Sequence, residues 1–460
     1  MIARVLLVLA AGLATTGAAA EGPHRPQAYV QFENAAWSRD AVIYQVNTRH
    51  FTREGTLRAA AEHLPRLADM GVDIVWLMPI HPIGEVGRKG SMGSPYAVKD
   101  YRAINPDLGQ EADLKAFVDS AHALGMKVIL DWVANHSAWD NPLTQSHPEW
   151  YQRSPEGTFM PPEGTDWSDV VAFDYANPAL REYMAGSLAY WVREFGIDGY
   201  RADVAGYVPL DFWEAARRQL NELKPVFMLA EWEQRDLHAR AFDATYAWRW
   251  KEVMQRIARG EAGAEAMRGY YAEHKTSWPH AAFRMVYTDN HDQNAWDGVA
   301  SDIYGPAYAA AIALSFAGPG IPLVHNGQEA DLAHKLSFFE KDEIVWKKGR
   351  YDPLLRQLIA LKTAEAALHN GRYGGAMIDV PNSAPGAVLS FVRQQGASRV
   401  FAVFNLSGEA RAVQFAQARH HGAYIDALSG QASEFTQETA PLMLPAWGFR
   451  LYRLKAANSR

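Results

Sequence analysis

Cysteine is absent from the whole 460-residue sequence, so no disulfide framework, thiolate metal site or lipidated cysteine is available. The apolar run at the amino end, Val5 to about Leu13, is shorter than the roughly 20 residues a membrane-spanning helix needs, and no second run is long enough. Clusters of Lys or Arg are missing as well, and the formal charge is −7. A polyanion such as nucleic acid is bound mostly through basic side chains, so that partner class is excluded. Low-complexity tracts and short repeats are not found.

The first residues, Met1-Ile2-Ala3-Arg4, then the apolar run, then small residues ending Ala18-Ala19-Ala20, match the three parts of a secretory signal. The expectation is a signal peptide over 1–20, cleavage after Ala20, no membrane anchor afterwards, and an exported, periplasmic or extracellular protein. The remaining composition, 48% apolar and 21% charged, is that of a globular chain. Its length suits a barrel-sized domain with a smaller one.

From Ala41 to about His325, short apolar or β-branched runs alternate with amphipathic stretches, which is the pattern of repeated βα units. The runs are Ala41–Val46, Asp73–Met78, Lys127–Asp131, Gly199–Asp203, Val226–Glu231, Arg284–Thr288 and Ile321–His325, with a weaker eighth near Phe242–Trp248. Leu57, Ala60, Ala61, Leu64 and Leu67 fall at helical spacing, as do Leu114, Phe117, Val118, Ala121 and Leu124. Thr56 reads as an N-cap, and Gly71 and Gly125 as helix stops. The pattern predicts an α/β (β/α)₈ TIM barrel over 37–370 after a lead segment 21–36. A long Pro-, Trp-, Gly- and Asp-rich loop over 136–177 follows the third strand. From about Gly371 to 460, short alternating runs separated by turn residues predict an antiparallel β-sandwich, with His420-His421 in a solvated turn.

Barrel enzymes place catalytic groups at the C-terminal ends of strands, so polar residues that interrupt an apolar strand where it ends are the informative ones. Here Val128-Ile129-Leu130 ends in Asp131, followed by Asn135-His136. Gly199-Tyr200 leads to Arg201 and Asp203, Phe227 to Ala230 ends in Glu231, and Met285-Val286-Tyr287 leads to Asn290-His291-Asp292. Taken singly, an Asp or Glu after a strand is more often a helix cap or a surface charge, and His136 alone fits a satisfied buried histidine. Taken together on an eightfold pattern, three carboxylates from three strands converge on one cleft, which is what cleavage of a glycosidic bond requires. Arg201 lies two residues before Asp203 and so on the same side of the strand, where a guanidinium keeps an aspartate ionised. Glu231 leaves an apolar strand, where burial raises a carboxyl's pKa.

These segments resemble glycoside hydrolase family 13, the α-amylase family: Asp131-Trp132-Val133-Ala134-Asn135-His136, Gly199-Tyr200-Arg201-Ala202-Asp203, Glu231-Trp232-Glu233 and Asp289-Asn290-His291-Asp292, in the family's order. Val42 to Gln45, Gly71 to Pro79 and Gly320 to Glu329 extend the resemblance, which covers about Trp37 to Leu361. It implies Asp203 as nucleophile, Glu231 as general acid/base and Asp292 as the third carboxylate, which favours the distorted ring. It further implies Tyr96, His136, Arg201 and His291 as substrate-binding residues around the attacked sugar, and an α-glucan oligosaccharide or polysaccharide as partner. The aromatic share of 12%, with 15 Trp and 20 Tyr, suits stacking on sugar rings but equally a core.

The chain departs from the family in three places. Gly206-Tyr207 stands where many α-amylases carry Lys-His after the nucleophile, and Asp203-Val204-Ala205 is more similar to the neopullulanase and cyclomaltodextrinase branch. Ala97 stands where many exo-glucosidases have Asp. Ala172 occupies the place of a calcium-binding Asp, leaving Asn135 and Asp174 as weak calcium candidates, so no cofactor or metal is expected to be required. Two alternatives stay open: a transglycosylase, which shares the covalent intermediate, and, from another class, a non-catalytic glucan-binding protein, which would be expected to have lost one of the three carboxylates.

Overall fold

The computed structural model describes residues 28–455; the segment read as a signal peptide, 1–20, lies outside the described residues, as does the start of the 21–36 lead. Among the described residues ten strands come first: β1 (Ile43–Val46), β2 (Ile74–Leu77), β3 (Lys127–Trp132), β4 (His136–Ala138), β5 (Val170–Ala172), β6 (Gly199–Ala202), β7 (Phe227–Ala230), β8 (Ala244–Tyr246), β9 (Phe283–Tyr287) and β10 (Ile321–His325). Eight of them close into a parallel barrel in the order β1-β10-β9-β8-β7-β6-β3-β2. These are the eight runs read from the sequence.

The barrel forms because side chains alternate along each strand. Ile43, Trp76, Ile129, Leu229, Met285 and Leu323 point inward and fill the lumen, whereas Tyr44, Val75, Leu130, Met228 and Val324 point outward into the layer of helices. The helix Glu111–Ala123 starts on a capping box between Gln110 and Asp113. The helix Pro178–Phe195 starts on Asn177, which accepts from the amides of Ala179 and Leu180. The stretch 57–67 is not one helix but two, Leu57–Ala61 and Leu64–Met70. Pro65, which has no N–H and clashes with the preceding turn, sits in the first turn of the second helix and forces the break.

The long loop after β3 folds back on itself through β4 and β5, paired antiparallel with His136 opposite Ala172. It therefore brings His136 to the barrel mouth. After the barrel come β11 (Met377–Asp379), β12 (Val388–Gln395), β13 (Ser398–Asn405), β14 (Arg411–Val413), β15 (Gly422–Asp426), β16 (Ala432–Phe435), β17 (Leu442–Leu444) and β18 (Phe449–Leu454). Six form an antiparallel sheet in the order β11-β12-β13-β18-β15-β16, and β14 with β17 forms a two-stranded ribbon. The sandwich is lopsided. One face of the sheet packs under the ribbon through Phe401, Val413 and Leu444, and the other joins the barrel core through Phe391, Ala402 and Leu451. Arg393 of β12 fastens the two bodies, donating to Gly318 O (2.8 Å), Gly375 O (2.9 Å) and His369 O (3.1 Å). His420, expected in a solvated turn, is buried against Phe401 and Phe415, because its ring completes the apolar face beneath the ribbon. No described helix is long and apolar enough to cross a membrane.

Candidate active site

The C-terminal ends of β3, β6 and β7 lie side by side, so Asp131, Asp203 and Glu231 meet around the fully buried Arg201. Arg201 Nη1 donates to Asp131 Oδ1 (2.7 Å) and to Asp203 Oδ1 (2.9 Å). Its Nη2 lies 2.7 Å from Glu231 Oε1, as an ion pair rather than an aligned hydrogen bond. The other oxygen of Glu231 accepts the amide of Val204 (2.9 Å). Val204 takes φ +36°, ψ 49°, a left-handed backbone that costs a β-branched residue about 1–3 kcal/mol. That turn aims the amide beyond Asp203 at the glutamate.

Asp131, which the sequence marked only as a strand-end break, is the hub beneath the site. It also accepts from Trp76 Nε1 (3.1 Å) and Tyr96 Oη (3.2 Å). The tautomer of His291 follows from its neighbours. Gln45 accepts the His291 amide through Oε1 (3.2 Å), so its Nε2 donates to Nδ1 (2.7 Å). Nε2 of His291 then carries the proton, 2.7 Å from Tyr96 Oη and 3.3 Å from Asp292 Oδ2. Burial pushes His291 down to about 4 and His136 to about 3, so both rings are neutral at pH 7.

A cavity of about 640 Å³ opens above this network. Tyr96, His136, Asp203, Glu231, His291 and Asp292 line it, while Arg201 sits beneath and touches only the carboxylates and the surrounding rings. Asp292 is the most open of the three predicted carboxylates, its side chain 40% exposed. Asn135 and Asp174 do not line the cavity. Asn135 Nδ2 faces His136 Nδ1 (3.3 Å), and Asp174 Oδ1 accepts the Ala176 amide (3.0 Å) in a local turn. Ala172, paired opposite His136, offers no side-chain oxygen. Among the described residues no group of three or more His, Asp or Glu could hold a metal.

Sequence reasoning missed the aromatic walls. Phe338 stacks on Tyr96 (centroids 6.0 Å, 12°) and touches Trp296 (5.1 Å), while Trp167 faces His136 (5.4 Å). Trp296 is 54% exposed and belongs to a π-helical turn, Gln293–Asp297, closed by the Gly298 amide on Gln293 O (2.9 Å). Two adjacent phenylalanines, Phe338-Phe339, in a polar stretch were the available signal, since a contiguous apolar patch bordered by polar residues marks a binding surface. Beside Trp167, 6.5 Å from its ring, Tyr207, 49% exposed, leans on Trp232 (5.3 Å). Gly206 makes that contact possible: a Cβ there would lie 2.0 Å from the Trp232 ring, so a side chain in this position requires the ring to move.

Burial pushes Asp131 and Asp203 up to about 7 and Glu231 up to about 8, against the pull of Arg201. Glu231 therefore holds the proton best, and Asp203, hydrogen-bonded to the guanidinium, is the better anion. If Asp203 must be ionised and Glu231 protonated, activity falls as pH drops through about 7 and again as it rises through about 8. A plot of kcat/KM against pH should be a narrow bell; a flat profile from pH 5 to 10 would contradict these roles.

A closed parallel barrel with acidic strand ends gathered on one arginine is a layout of the glycosidase type. The family description "Alpha amylase, catalytic domain" matches residues 26–169 and 165–365. The chain belongs to the α-amylase family, glycoside hydrolase family 13. It is similar to the noncanonic maltogenic α-amylase AmyB from Thermotoga neapolitana, with 31% identity and a TM-score of 0.83, covering 91% of this chain and 99% of that one. It is also similar to a cyclomaltodextrinase from Bacillus sp. (27% identity; 74% of this chain, 69% of the relative). The α-amylase MalA from Haloarcula japonica is 28% identical over 68% of this chain, and the match spans about half of that relative's length (47%). The first two similarities support the neopullulanase and cyclomaltodextrinase-like branch.

Proposed function

We propose that this protein is a retaining α-glucan hydrolase that opens α-1,4 bonds of maltooligosaccharides or starch-like glucans, with α-1,6 bonds as a secondary target. The observation that carries this reading is the bridging of Asp203 and Glu231 by one guanidinium at the floor of a sugar-sized cleft. A pair so joined suits the spacing of retaining enzymes, about 5 Å, better than the wider gap that seats a water in inverting ones. Glu231 gives its proton to the glycosidic oxygen as that bond breaks, and an oxygen of Asp203 bonds to the anomeric carbon. Glu231, now a carboxylate, takes a proton from water, whose oxygen displaces Asp203 and releases the sugar. Tyr96, His136 and His291 line the space for the attacked ring.

A second reading, transfer to another sugar, is favoured by Tyr207 and Trp232, an aromatic surface suited to holding an acceptor against water. Export and independence from a metal complete the proposal. Chromatography of products from maltoheptaose and pullulan, with and without EDTA, tests it. Shorter maltooligosaccharides at a rate indifferent to chelator are expected, and products longer than the substrate would mark transfer. No new reducing ends would refute hydrolysis, and loss of activity in EDTA would refute metal independence.

A further inference from the structure

Away from the catalytic mouth, a hollow of about 340 Å³ lies between β9, the helix Ala264–Ser277 and the C-terminal sheet. Its lining carries five cationic side chains, Arg268, Lys275, Arg284, Arg393 and Arg419, against one carboxylate, Asp379. That carboxylate is already held by Arg268 Nε (2.9 Å). In a chain of net charge −7 this is a concentrated positive lining.

Arg284 is the informative member. It is 1% exposed, the Trp278 ring covers one face of its guanidinium at 3.5 Å, and Nη2 donates to Tyr246 O (2.6 Å) and pairs with Glu233. Among the described residues its Nε and Nη1 have no hydrogen-bond partner, and neither does Nε2 of His274 in the same lining. Buried N–H groups without acceptors are costly, and an incoming acceptor removes that cost. Arg393 adds charge only, since its nitrogens are committed to main-chain carbonyls. Lys275 and Arg419 are exposed at the rim, where they can receive a ligand from solvent.

We propose that this hollow binds an oxyanion, specifically a phosphate group, free or carried on a sugar. Phosphate carries more than one negative charge and offers acceptor oxygens in several directions, which suits a lining of several cations with unpaired donors behind it; a single-point anion such as chloride reaches fewer of them. The volume leaves room beyond one phosphate ion.

Calorimetry and thermal denaturation of the whole protein with inorganic phosphate, at constant ionic strength and with chloride as control, test the site without reference to turnover. Saturable binding that raises Tm is expected. The double variant K275A/R419A, altered only at exposed positions, should weaken it about tenfold or more, since charged hydrogen bonds are lost. R284K, which keeps the charge beside Glu233 but removes the free donors, should weaken it similarly; if R284K does not fold, the double variant alone decides. Glucose 1-phosphate binding tighter than phosphate assigns the sugar-borne form, and weaker binding assigns the free ion. No saturable binding, an equal effect of chloride, or unchanged affinity in K275A/R419A would overturn the proposal.

Discussion

Asp203→Asn is expected to lower kcat/KM by roughly 10⁴- to 10⁶-fold, the largest effect of any single change in this protein, because the amide oxygen is too poor a nucleophile to form the glycosyl intermediate. The loss should fall on kcat. Arg201 keeps its contacts to Asp131 and Glu231, and the other cavity-lining side chains remain, so the affinity for maltooligosaccharides should change by only a few-fold. The variant should also move the alkaline limb of any residual activity to lower pH, since the Asp203 charge is one of the influences that raise Glu231. A fluorinated maltosyl fluoride that traps intermediates should add the mass of one fluoromaltosyl group, two sugar units, to the wild-type chain at Asp203 and none to the variant. Turnover within tenfold of wild type would remove Asp203 from the mechanism.

Glu231→Gln is expected to cost about 10²- to 10⁴-fold on natural glucans, the usual worth of a general acid. The loss should shrink on a maltosyl fluoride, whose leaving group needs no proton, and this contrast separates a missing acid from a damaged site. Stability should move the other way. The Glu231 carboxyl sits at about 8 in the fold against an ordinary 4.5, so the anion is disfavoured there. The stabilising contribution of the protonated form is complete below the ordinary value and is lost as pH rises through about 8. Glutamine, always neutral, should raise Tm above wild type at pH 9 and leave it nearly unchanged at pH 4. Equal losses on both substrates, or a lower Tm at pH 9, would count against the assignment.

The barrel was legible because its strands carry apolar runs bounded by polar breaks: Asp131 and Glu231 stand out directly against Val, Ile, Leu and Phe neighbours, and Asp203 and Asp292 lie in the polar segments where the next such runs end. Pairing of Arg201 with Asp203 followed from a two-residue spacing in an extended strand. The split of the first helical stretch at Pro65 was legible in principle, but apolar spacing alone carries through it. The aromatic walls were not, since Phe338 and Trp167 lie in irregular segments and Trp296 in a single wide turn, where no periodicity says which way a ring faces. Nor does any residue type announce that Val204 adopts a left-handed turn, a position at which glycine or asparagine is the usual choice. The role of Gly206 appears only once the Trp232 ring is seen across it.

The wide turn following Asp292 has a consequence for how this cleft could be remodelled. Successive residues of a helix are offset by about 100°, and Gln293–Asp297 accommodates one residue more than an ordinary turn. Deleting a single residue between Asp292 and Trp296 would tighten the coil to regular pitch and change where the indole meets Phe338. The rim of the cleft would thus be reshaped by a change in chain length, with every side chain that carries out the chemistry left as it was.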